Sequence, residues 1–527
     1  MKSVVDKVRS LDIVREMTLP LFSISLYASL GGLSFGIDNN YWSGLLGMTT
    51  FKNDFGVYDP STSEYIIPTS WQSAGTGPPM AGMAFGALLS GFVGSHLGRV
   101  PCFQAASVIA SVGIIIQATA KHSYWQIVAG RIVACLALGL LANVVPAYQA
   151  ECAPRKIRGG LVNCYQFSLL TGAVLINTAN WGVYERTDQW AYRLAILLQL
   201  VAPLILGVGS FFMPESPRWL IGRGRDAEAL KILKLLRRGT PIESIEEETA
   251  MLVAAEEESR ASLHNSWIEC FKGTNLRRTL IIIGVQCWQQ AQGNSFIQSY
   301  GVVFLQQIGI QDTYKTQILL TLSQALACGF GFYLPDRFGR RPVMICTAIV
   351  MAACMYTVGG ITGYDLADNQ NAMKGALAAL FIWQVLLSVG WSSCVWIVTA
   401  ETATLLLREK TIMIGTFVGF CVSILVSFVN PYMQNPGYGG LEGRIGFVYG
   451  SFSVVTAIWS FFFLPETGKR SLEELDELFE RRVSTRSFSV YRTQGVDKGV
   501  VEGEEVTLED GQRKVPATTV KKGSIEE

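Results

Sequence analysis

Two charged side chains stand deep inside apolar runs. Phe35-Gly36-Ile37-Asp38 places a carboxylate within one hydrophobic stretch, and Gly130-Arg131 places a guanidinium within another. A charge in hydrocarbon is costly, so intramembrane ionisable groups are rare and usually functional. Two roles fit this pair. Either Asp38 changes its charge as its surroundings change, because desolvation opposes the carboxylate form and a nearby cation favours it, or the two form a permanently ionised clamp between helices.

The elements that must hold these residues follow from composition. Half of the 527 residues are apolar, only 16% are charged and the net charge is +1. Such a chain takes a bilayer as its solvent, and no global field points to nucleic acid. Spanning a core of roughly 30 Å needs about 20 apolar residues in a helix. Twelve stretches qualify: 18–38, 71–95, 101–120, 124–149, 160–182, 191–213, 277–308, 312–334, 341–361, 374–400, 411–433 and 443–464. The expected fold class is therefore an all-α membrane protein. Its expected parts are a terminus 1–17, a six-helix half 18–213, a loop 214–276 with short amphipathic helices, a second half 277–464 and a tail 465–527, mostly disordered after about 480. Short loops on one side carry Arg99, Lys156, Arg158, Arg337, Arg340, Arg341, Arg408 and Lys410, and acidic residues collect on the other. The positive-inside rule makes the first side cytoplasmic, together with both termini and the central loop. No cleavable signal peptide is expected. The eleven cysteines show no C-x-x-C spacing and read as small buried hydrophobes. With no nucleotide loop, metal cluster or nucleophile beside a base, neither an enzyme nor a cofactor is expected.

The chain also repeats itself. PAYQAECAPRKIRGG at 146–160 has the form of WIVTAETATLLLREKT at 396–411, with Glu151 and Arg158 each 250 residues before Glu401 and Arg408. MPESPRWL from 213 recurs as LPETGKRSL from 464, and GSHLGRV from 94 as PDRFGRRP from 335. Two related halves with a site between them near the midplane are implied. The repeated charges, Arg99, Glu151 with Arg158, Glu215 with Arg218, Asp336 with Arg340 and Arg341, Glu401 with Arg408, and Glu466 with Lys469, lie at helix ends. They are expected to form a cytoplasmic gate of ion pairs between halves; solvated surface charge is the plainer alternative.

Gly130-Arg131, P-x-Y-x-x-E-x-A-P-x-x-x-R-G from Pro146, PESPRWL from Pro214, Gln289-Gln290, D-R-x-G-R-R from Asp336, Glu401 with Arg408, and PETG from Pro465 occur in this order. In that order and spacing they resemble the sugar porters of the major facilitator superfamily, most of all fungal members, over roughly residues 18–480. The resemblance implies a secondary transporter without cofactor, moving a sugar or sugar-like polyol with a proton across a bilayer, the plasma membrane being expected. It implies Asp38 as proton carrier beside Arg131. It also implies a cleft lined by Phe35, Gln166, Gln289, Gln290, Ser295 and Trp396, since polyhydroxyl solutes need amides and an aromatic face. A lone amide or hydroxyl in a membrane helix also serves as an interhelical hydrogen bond.

Departures from the family pattern leave other readings open. Ser295 stands where the family has an amide, Ala173 and Gly419 replace polar residues, Ser392-Ser393 replace Gly-Pro, and Ser95-His96 replace Asp and Arg. Gln292 and Gln298 are candidate substitutes for the lost amides. A transporter of a less polar metabolite, in either direction, fits the same fold, and a nontransporting nutrient receptor fits it less well because the tail is short. His96, a loop histidine, reads as solvated rather than as a pH sensor.

Overall fold

The computed structural model describes residues 17–60, 63–154, 157–261, 267–363, 369–404, 407–435, 437–468, 470, 472–488 and 491. Twelve helical spans follow one another. Span one is Leu19–Ala28 with Leu30–Gly47, span two Thr69–Leu97, span three Arg99–Ala118, span four Tyr124–Cys152, span five Arg158–Val183, and span six Trp190–Leu198 with Val201–Ser210. Span seven is Gly273–Gln289 with Ser295–Gln307, span eight Thr313–Phe338, span nine Arg340–Thr362, span ten Gln370–Leu386 with Cys394–Thr402, span eleven Arg408–Gln434 and span twelve Ile445–Phe463. All lie within a few residues of their expected positions except span one. It runs on to Gly47, and Asn40 donates to the Gly36 carbonyl at 3.0 Å within the helix. Asp38 thus lies mid-span instead of at a span end. Among the described residues, eight spans are long and apolar enough to cross a membrane. Spans two, five, seven and eight fall outside that set.

Each half closes on glycine contacts. A Cβ on Gly36 would stand 1.8 Å from the Leu169 carbonyl oxygen, and one on Gly172 2.3 Å from that of Leu33, so spans one and five touch backbone to backbone. Gly86 and Gly139 do the same for spans two and four, at 2.1 Å from the Leu136 oxygen and 2.0 Å from the Met83 oxygen. Where lipid is as apolar as leucine, such close approach is what holds helices together.

The bundle has two ends. One carries an antiparallel hairpin, Val57–Asp59 paired with Glu64–Ile66, in a stretch read from sequence only as a loop. The other carries the segment between spans six and seven: helices Pro217–Gly222, Asp226–Leu236 and Ile242–Ala261. Asp226–Leu236 buries Ala229, Leu233 and Leu236, the expected amphipathic spacing. Arg237 follows it, donating to the Cys152 carbonyl at 2.9 Å and pairing with Glu248 at 3.0 Å, so the linker satisfies the end of span four. Helix Leu472–Glu480 buries Leu475, Leu478 and Phe479, and Asp476 pairs with the buried Arg278. Order continues to residue 488, where Phe488 packs on Phe479, so the tail is structured slightly further than expected. The rest of the tail expected to be disordered, from 489 on except Tyr491, lies outside the described residues.

At the linker end the ion pairs seen among the described residues for the repeated charges lie within a half. Arg99 meets Glu151 at 2.7 Å, and Arg340 meets Glu401 at 3.0 Å and Asp336 at 2.8 Å. Arg341 turns to the Phe461 carbonyl at 2.7 Å. The expected pair of Glu215 with Arg218 does not form: Arg218 is exposed, and the carboxylate is occupied by the backbone N–H groups of Arg99, Val100 and Ser216 at 2.9, 3.2 and 2.8 Å. Glu466 accepts in the same way from Arg340, Arg341 and Gly468 at 2.9, 3.1 and 2.8 Å. Spans three and nine begin after Gly98 and Gly339, which have φ of +109° and +95° and no side chain to cap the helix. A carboxylate from another loop therefore caps the positive helix end. The side chain of Arg158, and Lys469, lie outside the described residues.

Two outcomes are expected. Gly36→Ala should destabilise the protein by about 1–3 kcal/mol through overpacking, seen as a lower thermal midpoint in detergent, whereas Gly182→Ala, at a site with open space, should leave it unchanged. Removing a cap by Glu466→Ala should cost about 1–3 kcal/mol by leaving helix N–H groups unpaired, with Glu466→Gln losing less; an unchanged midpoint for both would contradict the capping role.

Candidate functional site

The interior of the first half is built around the middle of span one. Asp38 is 3% exposed. Its Oδ2 accepts a hydrogen bond from the Cys135 thiol at 3.3 Å, and its Oδ1 has no hydrogen-bond partner. Arg131 lies one turn before Cys135 in span four, and its guanidinium sits over the Trp42 ring at 4.1 Å and near the Tyr41 ring at 5.2 Å. Its Nη1 donates to the Gly75 carbonyl at 2.5 Å. No ion pair within 4 Å joins Asp38 to Arg131 among the described residues. In place of a direct ion pair, the cation is held on aromatic faces one turn nearer the hairpin end, with the thiol level with the carboxylate. Tyr41 does not contact Asp38 through its hydroxyl, which donates to Gln117 at 2.7 Å.

Facing this, spans seven and ten both depart from plain α-helix. Residues Gln290–Asn294 form a π-helical turn with Gly293 at φ +103°, and Leu387–Ser392 form another. Such turns free backbone groups and re-aim side chains, and they recur at functional sites. From them a polar chain crosses the bundle. Gln289 Nε2 donates to the Trp391 carbonyl at 3.3 Å, Gln290 Nε2 to Gln289 Oε1 at 3.3 Å, and the Ser295 hydroxyl to Gln290 Oε1 at 2.6 Å. Ser295 also meets Ser423 of span eleven at 2.7 Å, and Ser423 reaches the Met80 sulfur of span two at 3.1 Å. Three of the candidate cleft residues, Gln289, Gln290 and Ser295, and both halves are therefore joined by one polar chain, and Phe35 packs against Met83, Cys135 and Leu138.

Gln166 is half-buried and makes no hydrogen bond to a described residue, so its amide is available. Trp396 is 42% exposed, in contrast to the fully buried Trp391, whose N–H donates to the Met344 carbonyl at 3.2 Å. Gln292 is fully buried; its amide N–H donates to the Trp288 carbonyl at 3.2 Å and its Oε1 has no hydrogen-bond partner. Gln298 stays half-buried.

Sequence reasoning missed the groups that join the halves above this level. Thr76 meets Tyr300 at 2.5 Å, Ser73 donates to the Phe428 carbonyl at 2.8 Å, and Ser43 accepts from the Val302 N–H at 2.9 Å. Tyr314 donates to the Gly44 carbonyl at 2.9 Å, and Asn435 to Thr69 at 3.1 Å. All these contacts lie between the level of Met80 and Ser423 and the hairpin end. The available signal was the four-residue spacing of Ser423 with Ser427, a hydroxyl stripe in an otherwise apolar run.

A family described as "Sugar (and other) transporter" matches residues 24–479. The major facilitator-type transporter ecdD of Aspergillus rugulosus is 31% identical over 493 residues, covering 91% of each chain. The probable glucose transporter rco-3 of Neurospora crassa is 31% identical over 482 residues, covering 89% of this chain and 81% of its own. In three dimensions the chain is similar to the proton:xylose symporter XylE, with a TM-score of 0.71 at 22% identity, covering 87% of this chain and 99% of that one. The two six-helix halves, the repeated linker-end motifs and the matched length agree, and the chain belongs to the sugar transporter family of the major facilitator superfamily.

Proposed function

We propose that this protein imports a sugar or sugar-like polyol together with a proton across the plasma membrane, by alternating access, with its linker end and both termini cytoplasmic. The observation that carries the proton is Asp38: a carboxyl group buried in the middle of span one, with one oxygen unpartnered and no cation within ion-pair distance. A group so placed changes charge when alternating exposure changes its solvation. The sugar reading draws on the family description and on relatives described as a glucose transporter and a proton:xylose symporter. Gln166 and Trp396 are the candidate ligand groups not engaged in the polar chain, and Phe35 is half-buried against Met83, Cys135 and Leu138. Polar contacts joining the halves cluster toward the hairpin end, so under this orientation the structure corresponds to an inward-facing state. In the opposite state the linker-end charges, Arg99, Glu151, Arg158, Glu215, Arg218, Asp336, Arg340, Arg341, Glu401, Arg408 and Glu466, would meet as the cytoplasmic gate.

One observation favours a second reading, transport of a less polar metabolite. The amides of Gln289 and Gln290 and the hydroxyl of Ser295 are engaged with one another and with Trp391, so fewer groups are free to read sugar hydroxyls. Uptake of a labelled panel of glucose, xylose, a disaccharide, inositol and an apolar metabolite into proteoliposomes separates the two.

At a membrane potential of 100 mV, worth about 2.3 kcal/mol per charge, one coupled proton supports roughly fiftyfold accumulation of a neutral solute. Asp38→Asn should abolish that accumulation while leaving solute exchange; accumulation that survives the substitution would overturn proton coupling. Gln166→Ala should raise the half-saturating concentration by about five- to tenfold, the loss of one or two hydrogen bonds, and an unchanged value would remove Gln166 from the cleft.

A further inference from the structure

Among the described residues, Cys135 is the one group that donates a hydrogen bond to Asp38, at 3.3 Å from Oδ2. It lies four residues after Arg131, on the same face of span four, and both thiol and carboxyl are almost wholly buried. The guanidinium is engaged elsewhere, by the Gly75 carbonyl and the Trp42 face. The charged or titratable groups acting on Asp38 are Arg131 and Cys135, and Tyr41 of its own helix is turned onto Gln117. Among the described residues, neighbouring helices bring no other such group to it.

On the coupling role proposed above for Asp38, we infer that Cys135 is a positioning residue for proton transfer: its thiol holds Oδ2 and thereby presents the unpartnered Oδ1 as the oxygen that gains and loses the proton. The S–H group donates to Oδ2 whether Oδ1 is bare or protonated, so the carboxyl keeps one orientation through the cycle. A thiol is also a weak donor. It orients the carboxylate without stabilising its charge strongly enough to prevent protonation, which a hydroxyl at the same place would do more strongly. Phe35 packs against the apolar cluster of Met83, Cys135 and Leu138, so the orientation is set next to an aromatic residue of the candidate cleft.

The test is solute accumulation against external pH in proteoliposomes, for wild type, Cys135→Ser, Cys135→Ala and Asp38→Asn. Cys135→Ser should keep accumulation but move the half-maximal pH down by about half a unit or more, the effect of a stronger donor to an ion. Cys135→Ala should move it up and reduce the accumulation ratio severalfold at unchanged exchange. Identical pH profiles in wild type, Ser and Ala variants, with Asp38→Asn uncoupled, would overturn the positioning role while leaving the coupling role intact. Accumulation in Asp38→Asn would overturn both. Infrared difference spectroscopy of the folded protein gives a readout independent of transport. The S–H stretching band lost in Cys135→Ser should shift in Asp38→Asn, and an unshifted band would contradict the hydrogen bond.

Discussion

A polar group inside a membrane-spanning bundle has no bulk water to fall back on, so the protein itself must supply its partner. Most irregularities of this structure answer that requirement. The wide turns at Gln290–Asn294 and Leu387–Ser392 release backbone carbonyls, and side chains take them up: Gln289 bonds the Trp391 carbonyl, and Ser393 the Ser388 carbonyl at 3.2 Å. Spans three and nine start at glycines, and their first N–H groups go to Glu215 and Glu466. Span four ends on the Cys152 carbonyl, which takes Arg237 from the linker. Other buried side-chain atoms also lack a partner, but Asp38 Oδ1 is a carboxylate oxygen in the middle of a span, and a buried acceptor without a donor is costly unless a proton or a moving solvent front serves it.

The same requirement explains how the halves can move. Within each half, helices meet through glycine at backbone distance, as Gly36 and Gly172 do, and such contacts have no slack. Between the halves the contacts are hydroxyls and single carbonyls, such as Thr76 with Tyr300 and Ser43 with Val302. These are individually modest and exchangeable with water. Rigid halves joined by exchangeable contacts suit a rocking motion about a central site.

Much of this was legible in the sequence. Apolar runs located the twelve spans because the hydrocarbon thickness dictates their length, and the 250-residue offset of Glu151 and Glu401 located the halves. What the sequence could not reveal was rotation and partner choice. Glu215 lies three residues before Arg218 yet bonds the start of span three, more than a hundred residues away, because a positive-φ glycine there leaves amides open. Arg131 was legible as an intramembrane cation, but its engagement by Trp42 and Gly75 depends on how spans one, two and four are turned. The same turn of span four brings Cys135, indistinguishable in the sequence from the ten other cysteines by type alone, onto Asp38.

The central claim, that solute movement carries a proton through Asp38, is tested most directly by following the lumenal pH of proteoliposomes with an enclosed dye. Solute is added outside, with no gradient imposed. The account predicts lumenal acidification with wild-type protein and none with Asp38→Asn; solute entry without a pH change in the wild type would contradict it.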